Sequence, residues 1–163
     1  MRKPLFSNAS ICFQAKKVVY EGQILAILLN GSESWCLTEV LFNKLRVFHA
    51  RCVRAMCRVN RWHVRVHRIT TEELLNRVDV KPIDAYITGR QLQWAGHVLR
   101  MPYDRLPRKM MTSWVPSRRP NGAPSFTYGR ALYKSLKKAN VSRENWSQLA
   151  QDRGIWREII DSL

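Results

Sequence analysis

The stretch Leu41-Phe42-Asn43-Lys44-Leu45-Arg46-Val47-Phe48-His49-Ala50-Arg51-Cys52-Val53-Arg54-Ala55-Met56-Cys57-Arg58-Val59 sets Leu41, Leu45, Phe48, Cys52, Met56 and Val59 at intervals of three and four. That spacing returns to one face of an α-helix, not of a strand. With Thr38 ahead of it as a start signal, this is the strongest helix of the chain, and its apolar stripe is expected in a core. A second pattern begins inside it. Arg51, Arg54, Arg58, Arg61, Arg65 and Arg68 alternate three and four apart, and no Asp or Glu occurs between Val40 and Thr71. A helix running through would display all six on one face. Asn60, Arg61 and Trp62 read as a break, so the alternation is expected to be shared between the helix end and a following loop. Solvated helix faces ordinarily interleave Glu with Lys. A basic stripe without carboxylates points instead to a polyanion, and nucleic acid is the expected partner.

Working outward, Ser10 can cap a first helix reaching about Leu29, with Ile11, Ala15, Val18, Leu25 and Leu28 as its apolar face and Gly31 as its stop. Thr70 and Glu73 have capping-box spacing and predict a short helix ending near Arg77. Pro82 suits the first turn of a helix through about Arg100, which would turn Ile83, Ile87, Trp94 and Val98 inward and Arg90 and Arg100 largely outward. Pro102 and Pro107 bracket a turn. Residues 115–126 are rich in Pro, Ser, Gly and Arg and read as a basic linker. Thr127 caps a helix with Leu132, Leu136 and Ala139 on one face and Arg130, Lys134, Lys137 and Lys138 around the other. Ser142 starts a last helical pair, with Trp146, Leu149, Ile155, Trp156 and Ile159 as core anchors. No alternating strand or internal repeat is visible. The fold class is therefore all-α: a helical region over residues 1–114, the linker over 115–126, and a small helical module over 127–163.

With 163 residues, 45% of them hydrophobic, the chain can bury a core, and its formal charge of +16 exceeds what solubility requires. The self-repulsion is most easily relieved by bound phosphates. The longest apolar run, Ile24 to Leu29, is far short of the roughly 20 residues that span a bilayer. No signal-peptide core is present, so no membrane partner is expected and the location is intracellular, nuclear or cytoplasmic. Cys12, Cys36, Cys52 and Cys57 lack a disulfide framework spacing and read as free thiols.

Catalytic and metal chemistry is poorly supported. Cys52, Cys57, His63 and His67 are zinc-ligand types, but Cys52 and Cys57 lie about 140° apart round a helix, and the central spacer is too short for an ordinary finger. His97 sits near a helix end, where packing or interaction with the dipole explains it, and no nucleophile has a place beside it. Asp79, Asp84, Asp104, Asp152 and Asp161 are isolated, whereas two-metal polymerases need clustered carboxylates. Asp79-Val80-Lys81 has the tail of a restriction-type nuclease motif without the Asp that should precede it.

Several motifs are more specific. Ile27-Leu28-Leu29-Asn30-Gly31-Ser32-Glu33-Ser34-Trp35 resembles the LLYGSE(S/T)W segment that follows the polymerase palm in LINE-like, non-LTR retrotransposon reverse transcriptases. Gln91-Leu92-Gln93-Trp94-Ala95-Gly96-His97-Val98-Leu99-Arg100-Met101 is similar to that family's RRLRWxGHVxRM, and Asp104-Arg105-Leu106-Pro107-Arg108 to its DRLP(R/K). Phe126-Thr127-Tyr128-Gly129 and Leu149-Ala150-Gln151-Asp152-Arg153 before Trp156-Arg157 resemble its C-terminal end. Together the motifs cover nearly the whole chain in the family's order. Asn30 departs from the usual Tyr, and the linker departs from the Gly-Arg-Pro type. The resemblance implies the thumb and trailing region of such an enzyme, with the endonuclease, the fingers and the palm with its metal-binding aspartates expected upstream of Met1. An RNA-directed DNA polymerase would be the parent protein. Magnesium is expected only in that palm, and no cofactor in this chain.

A thumb grips template and primer by their backbones. The residues expected to contact nucleic acid, RNA or DNA, are Arg46, Arg51, Arg54, Arg58, Arg61, Trp62, Arg65, Arg68, Arg118, Arg119, Arg130, Lys134 and Lys137. No catalytic or metal-binding residue is expected. Arginine suits the task because its planar fork matches phosphate oxygens and never loses its charge. Trp62 is the candidate for base stacking, while Trp35, Trp94, Trp146 and Trp156 are expected in cores. A helix made to pack on a palm should expose apolar surface around Ile24, Ile27 and Leu28. The rival readings are a stand-alone or domesticated basic RNA- or DNA-binding protein, a nuclease or zinc protein, and an untranslated remnant.

Overall fold

The computed structural model describes residues 5–112, 121–122 and 127–163, and among them only helices, turns and bends occur. The chain is all-α, as expected. After a 3-10 turn at Leu5–Ser7, α1 (Phe13–Val19) runs through a π-helical segment, Tyr20–Leu25, into α2 (Ala26–Leu28). There follow α3 (Glu39–Met56), α4 (Arg61–Val66), α5 (Thr71–Val78), α6 (Ile83–Leu99), α7 (Leu106–Thr112), α8 (Tyr128–Lys138), α9 (Trp146–Leu149) and α10 (Arg153–Asp161). The chain forms two compact units, one of Met1–Asn30 with Glu39–Tyr86 and one of Gly31–Thr38 with Ile87–Leu163. Of the expected linker, only Asn121 and Gly122 lie within the described residues.

In the first unit the expected 10–29 helix begins later, after Cys12, and contains the π segment. That segment alters which side chains face inward. Lys16, Tyr20, Leu25 and Leu29 are buried, and the step of five from Tyr20 to Leu25 reflects the wider π turn. Of the face expected from a regular 3.6-residue period only Leu25 is buried: Ala15 and Val18 are exposed, and Ile11 and Leu28 are only half-buried. Ile27 is 79% exposed, as an unpacked apolar face requires, while Ile24 is half-buried. Gly31 stops the segment in the left-handed region at φ 71°.

The buried face of α3 is rotated from the expected stripe. His49, Val53 and Met56 are buried, Leu45 and Cys52 half-buried, and Leu41 and Phe48 exposed. Polar partners from α1 and the π segment explain why a histidine can occupy the core side. The Tyr20 hydroxyl lies 2.7 Å from His49 Nδ1, and the buried Lys16 Nζ donates to the Met56 carbonyl at 3.3 Å, where α3 ends. A lysine at a helix C-terminus also meets the negative end of its dipole. α5 starts as expected, with Thr70 Oγ1 accepting from the Glu73 amide at 3.1 Å.

The second unit is built on α6. Leu92, Ala95 and Leu99 pack with Leu132, Leu136, Val141, Ala150 and Trp156. The Trp156 indole brings its N–H edge against α6, donating through Nε1 to the Leu92 carbonyl at 2.9 Å. Gly96 makes that approach possible, since a Cβ there would stand 2.7 Å from Trp156 Cδ1. Buried Gln91 joins distant segments, donating to the Trp35 carbonyl at 3.0 Å and accepting from Ser135 Oγ at 2.5 Å. Thr127 caps α8, whose Ala131, Leu132, Ser135 and Leu136 are buried. Asp152 caps α10 through the amides of Gly154 and Ile155.

Three expectations for this unit need correction. Trp94 is 36% exposed and Ile155 45% exposed, because Leu92, Ala95 and Trp156 fill the core positions instead. Pro102 and Pro107 do bracket a turn, as expected, the Arg105 amide donating to the Pro102 carbonyl at 3.2 Å; α7 then begins with Pro107 in its first turn, where the missing N–H costs nothing. Arg100 is half-buried, with its guanidinium donating to the Ala150 carbonyl.

Two outcomes follow for stability. Gly96→Ala should lower unfolding free energy by about 1–3 kcal/mol through overpacking against Trp156, whereas Gly22→Ala, with nothing within 4 Å of the new Cβ, should be neutral or slightly stabilising; urea unfolding checks both. Burial lowers the His49 pKa below its ordinary 6.5. The unfolded state then binds the proton more readily, so this residue's contribution is intact above pH 6.5 and is lost as pH falls towards the folded-state pKa. His49→Gln should flatten the pH dependence of stability in that window, measured by thermal unfolding from pH 5 to pH 7.

Candidate nucleic-acid interface

The six alternating arginines all lie in the first unit, but no single helix carries them. Arg51 and Arg54 stand on the last turns of α3, Arg61 and Arg65 on α4. Arg58 and Arg68 follow the two helix ends in the left-handed region, at φ 59° and 50°. Each sits in a closed C-terminal turn: the Val59 amide donates to the Arg54 carbonyl, and the Ile69 amide to the Val64 carbonyl. Asp79 and Asn140 repeat the arrangement before Val80 and Val141. The expected break at Asn60 is present, but Asn60 begins a helix there, its Oδ1 accepting from the His63 amide at 2.7 Å. The signal available in the sequence was the Arg-Val and Arg-Ile pairs after each helix, since an apolar residue ordinarily follows a left-handed cap.

Arg51, Arg58, Arg61, Arg65 and Arg68 are exposed and Arg54 is half-buried. Among the described residues none of the six forms a salt bridge. Arg54 and Arg61 meet at a cavity of about 530 Å³, with Glu72, Pro82 and Asp84 also in its wall. Trp62 is 68% exposed beside them in sequence, and the rings of His63 and His67 lie with centroids 4.1 Å apart and planes tilted by 44°. A run of guanidinium groups with an exposed indole can hold phosphate oxygens and lay a ring on a base.

Arg46 differs. Its Nε and Nη2 donate to Asp84 at 2.8 and 2.7 Å, and its Nη1 to Glu39 at 2.6 Å and Asn43 at 2.9 Å. Both carboxylates come from outside the acid-free stretch, so its charge is matched within the fold. Arg130, Lys134 and Lys137 lie exposed on α8, in the second unit. Arg118 and Arg119 fall outside the described residues.

Among the described residues no three His, Cys, Asp or Glu side chains gather as a metal site. Cys52 and Cys57 are half-buried thiols whose pKa burial pushes up, and Cys57 lies 3.7 Å from the Leu74 carbonyl. Asp79 caps α5 and pairs with Lys17 at 2.6 Å, a structural use for the acid of the Asp-Val-Lys run. None of the described helices is long and apolar enough to cross a membrane.

No family model matches the chain, and neither does any solved structure. Among curated proteins it is similar to an uncharacterised transposon-derived protein of Caenorhabditis elegans, at 26% identity over 147 residues. The match covers 87% of this chain and 52% of the relative, so the chain spans about half the length of the protein it matches.

Arg46 and Arg61 should separate structure from binding. Arg46→Ala leaves Asp84 without its fork and should cost about 1 kcal/mol of stability, the charged hydrogen bonds being discounted for partial exposure. It should leave nucleic-acid affinity little changed. Arg61→Ala should do the reverse, as thermal unfolding and fluorescence anisotropy on the same samples would record.

Proposed function

We propose that this chain grips the sugar-phosphate backbone of nucleic acid within a transposon-derived reverse transcriptase of the LINE-like, non-LTR kind. It holds template and primer, RNA or DNA, while polymerisation takes place on carboxylates elsewhere in a larger protein. The observation that carries the reading is the set Arg51, Arg54, Arg58, Arg61, Arg65 and Arg68, clustered in one unit without a carboxylate partner among the described residues. The likeness to a transposon-derived protein supports a transposon-related origin. The ordered motifs around Gly31, Gly96 and Pro107 supply the more specific assignment. Such a chain works in the nucleus or cytoplasm, wherever its template lies, and needs no cofactor of its own.

Backbone fit also explains two conformational choices. A left-handed residue costs an L-side chain roughly 1–2 kcal/mol, and glycine avoids that cost. Arg58 and Arg68 occupy such positions nonetheless. The helix dipole offsets part of the cost, and phosphate contact gives these side chains a further use.

Titrating duplex DNA with the whole chain at several salt concentrations tests the reading. With roughly six phosphates neutralised, log K should fall against log salt with a slope of about −5; a slope near zero would refute it. Arg54→Ala with Arg58→Ala and Arg61→Ala should weaken binding to all sequences alike and reduce the slope by about 3. Arg58→Gly should weaken binding while leaving stability unchanged or raised by up to about 1 kcal/mol. That pairing of effects is not expected of an arginine with a purely structural role.

A further inference from the structure

The second unit carries a basic cleft that the arginine series does not include. It has a volume of about 1020 Å³, at the upper limit of small-molecule sites, and Arg100, Arg153 and Arg157 stand in its wall. Arg153 and Arg157 are one turn apart on α10; Trp94 and His97 line the cleft from α6. Trp156 is 2% exposed and fixed by its hydrogen bond to the Leu92 carbonyl. The accessible ring is therefore Trp94, which is 36% exposed, with the His97 imidazole 5.7 Å away at an interplanar angle of 45°.

Three further facts narrow the ligand. Arg100 and Arg153 share the cleft wall, and burial followed by the Arg153 charge pushes the Arg100 pKa down, so an anion placed between them would be favoured. Glu33 also lines the cleft; its carboxylate can accept hydrogen bonds from the N–H edges of bases. A duplex would engage the arginines and leave the indole unused, because its base faces are stacked internally.

We propose that this cleft binds a single-stranded stretch of nucleic acid, with one unpaired base stacked on Trp94 and the flanking phosphates held by Arg100, Arg153 and Arg157. The site lies in a different unit from the arginine series and does not depend on that series binding anything.

The test is fluorescence anisotropy of the whole chain with a labelled oligo(dT) or oligo(U), a labelled duplex, and unlabelled thymidine or uridine monophosphate as competitor. Trp94→Ala should weaken single-strand binding by about five- to a hundredfold, the range found for one stacked base. Trp94→Phe should restore most of that loss, and duplex affinity should stay unchanged in both. Arg153→Gln with Arg157→Gln, which leaves the core untouched, should weaken single-strand binding and reduce its salt slope by about 1.4. In the triple Arg54, Arg58 and Arg61 alanine variant, the Trp94→Ala effect on single strands should persist even if duplex binding is lost or was never present. The proposal is overturned if Trp94→Ala leaves single-strand affinity unchanged, or if it weakens single strand and duplex equally. It is also overturned if the mononucleotide binds as tightly as the oligomer, which would make the cleft a free-nucleotide site.

Discussion

Six arginines between Arg51 and Arg68 repel one another, and the fold must hold them close without carboxylates. Its solution is geometric. The chain ends α3, turns through Arg58, begins α4 on Asn60 and turns again through Arg68, so the charges sit on two helices and two caps. Their side chains reach solvent, where salt screens them over about 8 Å. Carboxylates are used instead at Arg46, where Asp84 and Glu39 engage the guanidinium, and at Lys17, where Asp79 accepts from the ammonium group. Within the stretch from Arg51 to Arg68 the unmatched charge is thereby left at positions that reach solvent.

Much of the architecture was legible because local signals agreed with it. Thr70 and Thr127 accept the hydrogen bonds expected of helix caps, and Gly31 takes the left-handed turn. α6 and the buried face of α8 lie where their periodicity placed them. The misses share a physical cause. Helical spacing names a set of neighbouring residues but leaves open which of two adjacent faces a partner will cover. In α3 the covering residues are Tyr20 and Lys16, from a segment whose π turn shifts its own register. A stripe containing His49 therefore replaced one containing Leu41 and Phe48.

The candidate surface divides in the same way. The arginine alternation and the exposed Trp62 could be read directly from the chain. The pairing of Arg46 with Asp84 could not, because the acid lies 38 residues away and outside the stretch that looked free of carboxylates. The cleft beside Trp94 was still less visible. Its walls come from α6 and α10, and it depends on Trp156 occupying the core so that Trp94 does not.

The left-handed arginines carry an evolutionary consequence. A side chain that packs into a core binds its position to the survival of the fold, so selection on function and selection on stability act together. Arg58 and Arg68 are released from that coupling, because their backbone conformation is one that glycine or asparagine adopts readily. Each can be lost or regained in a single codon change without collapse of the surrounding helices. A lineage can thus raise or lower the grip of this surface one charge at a time.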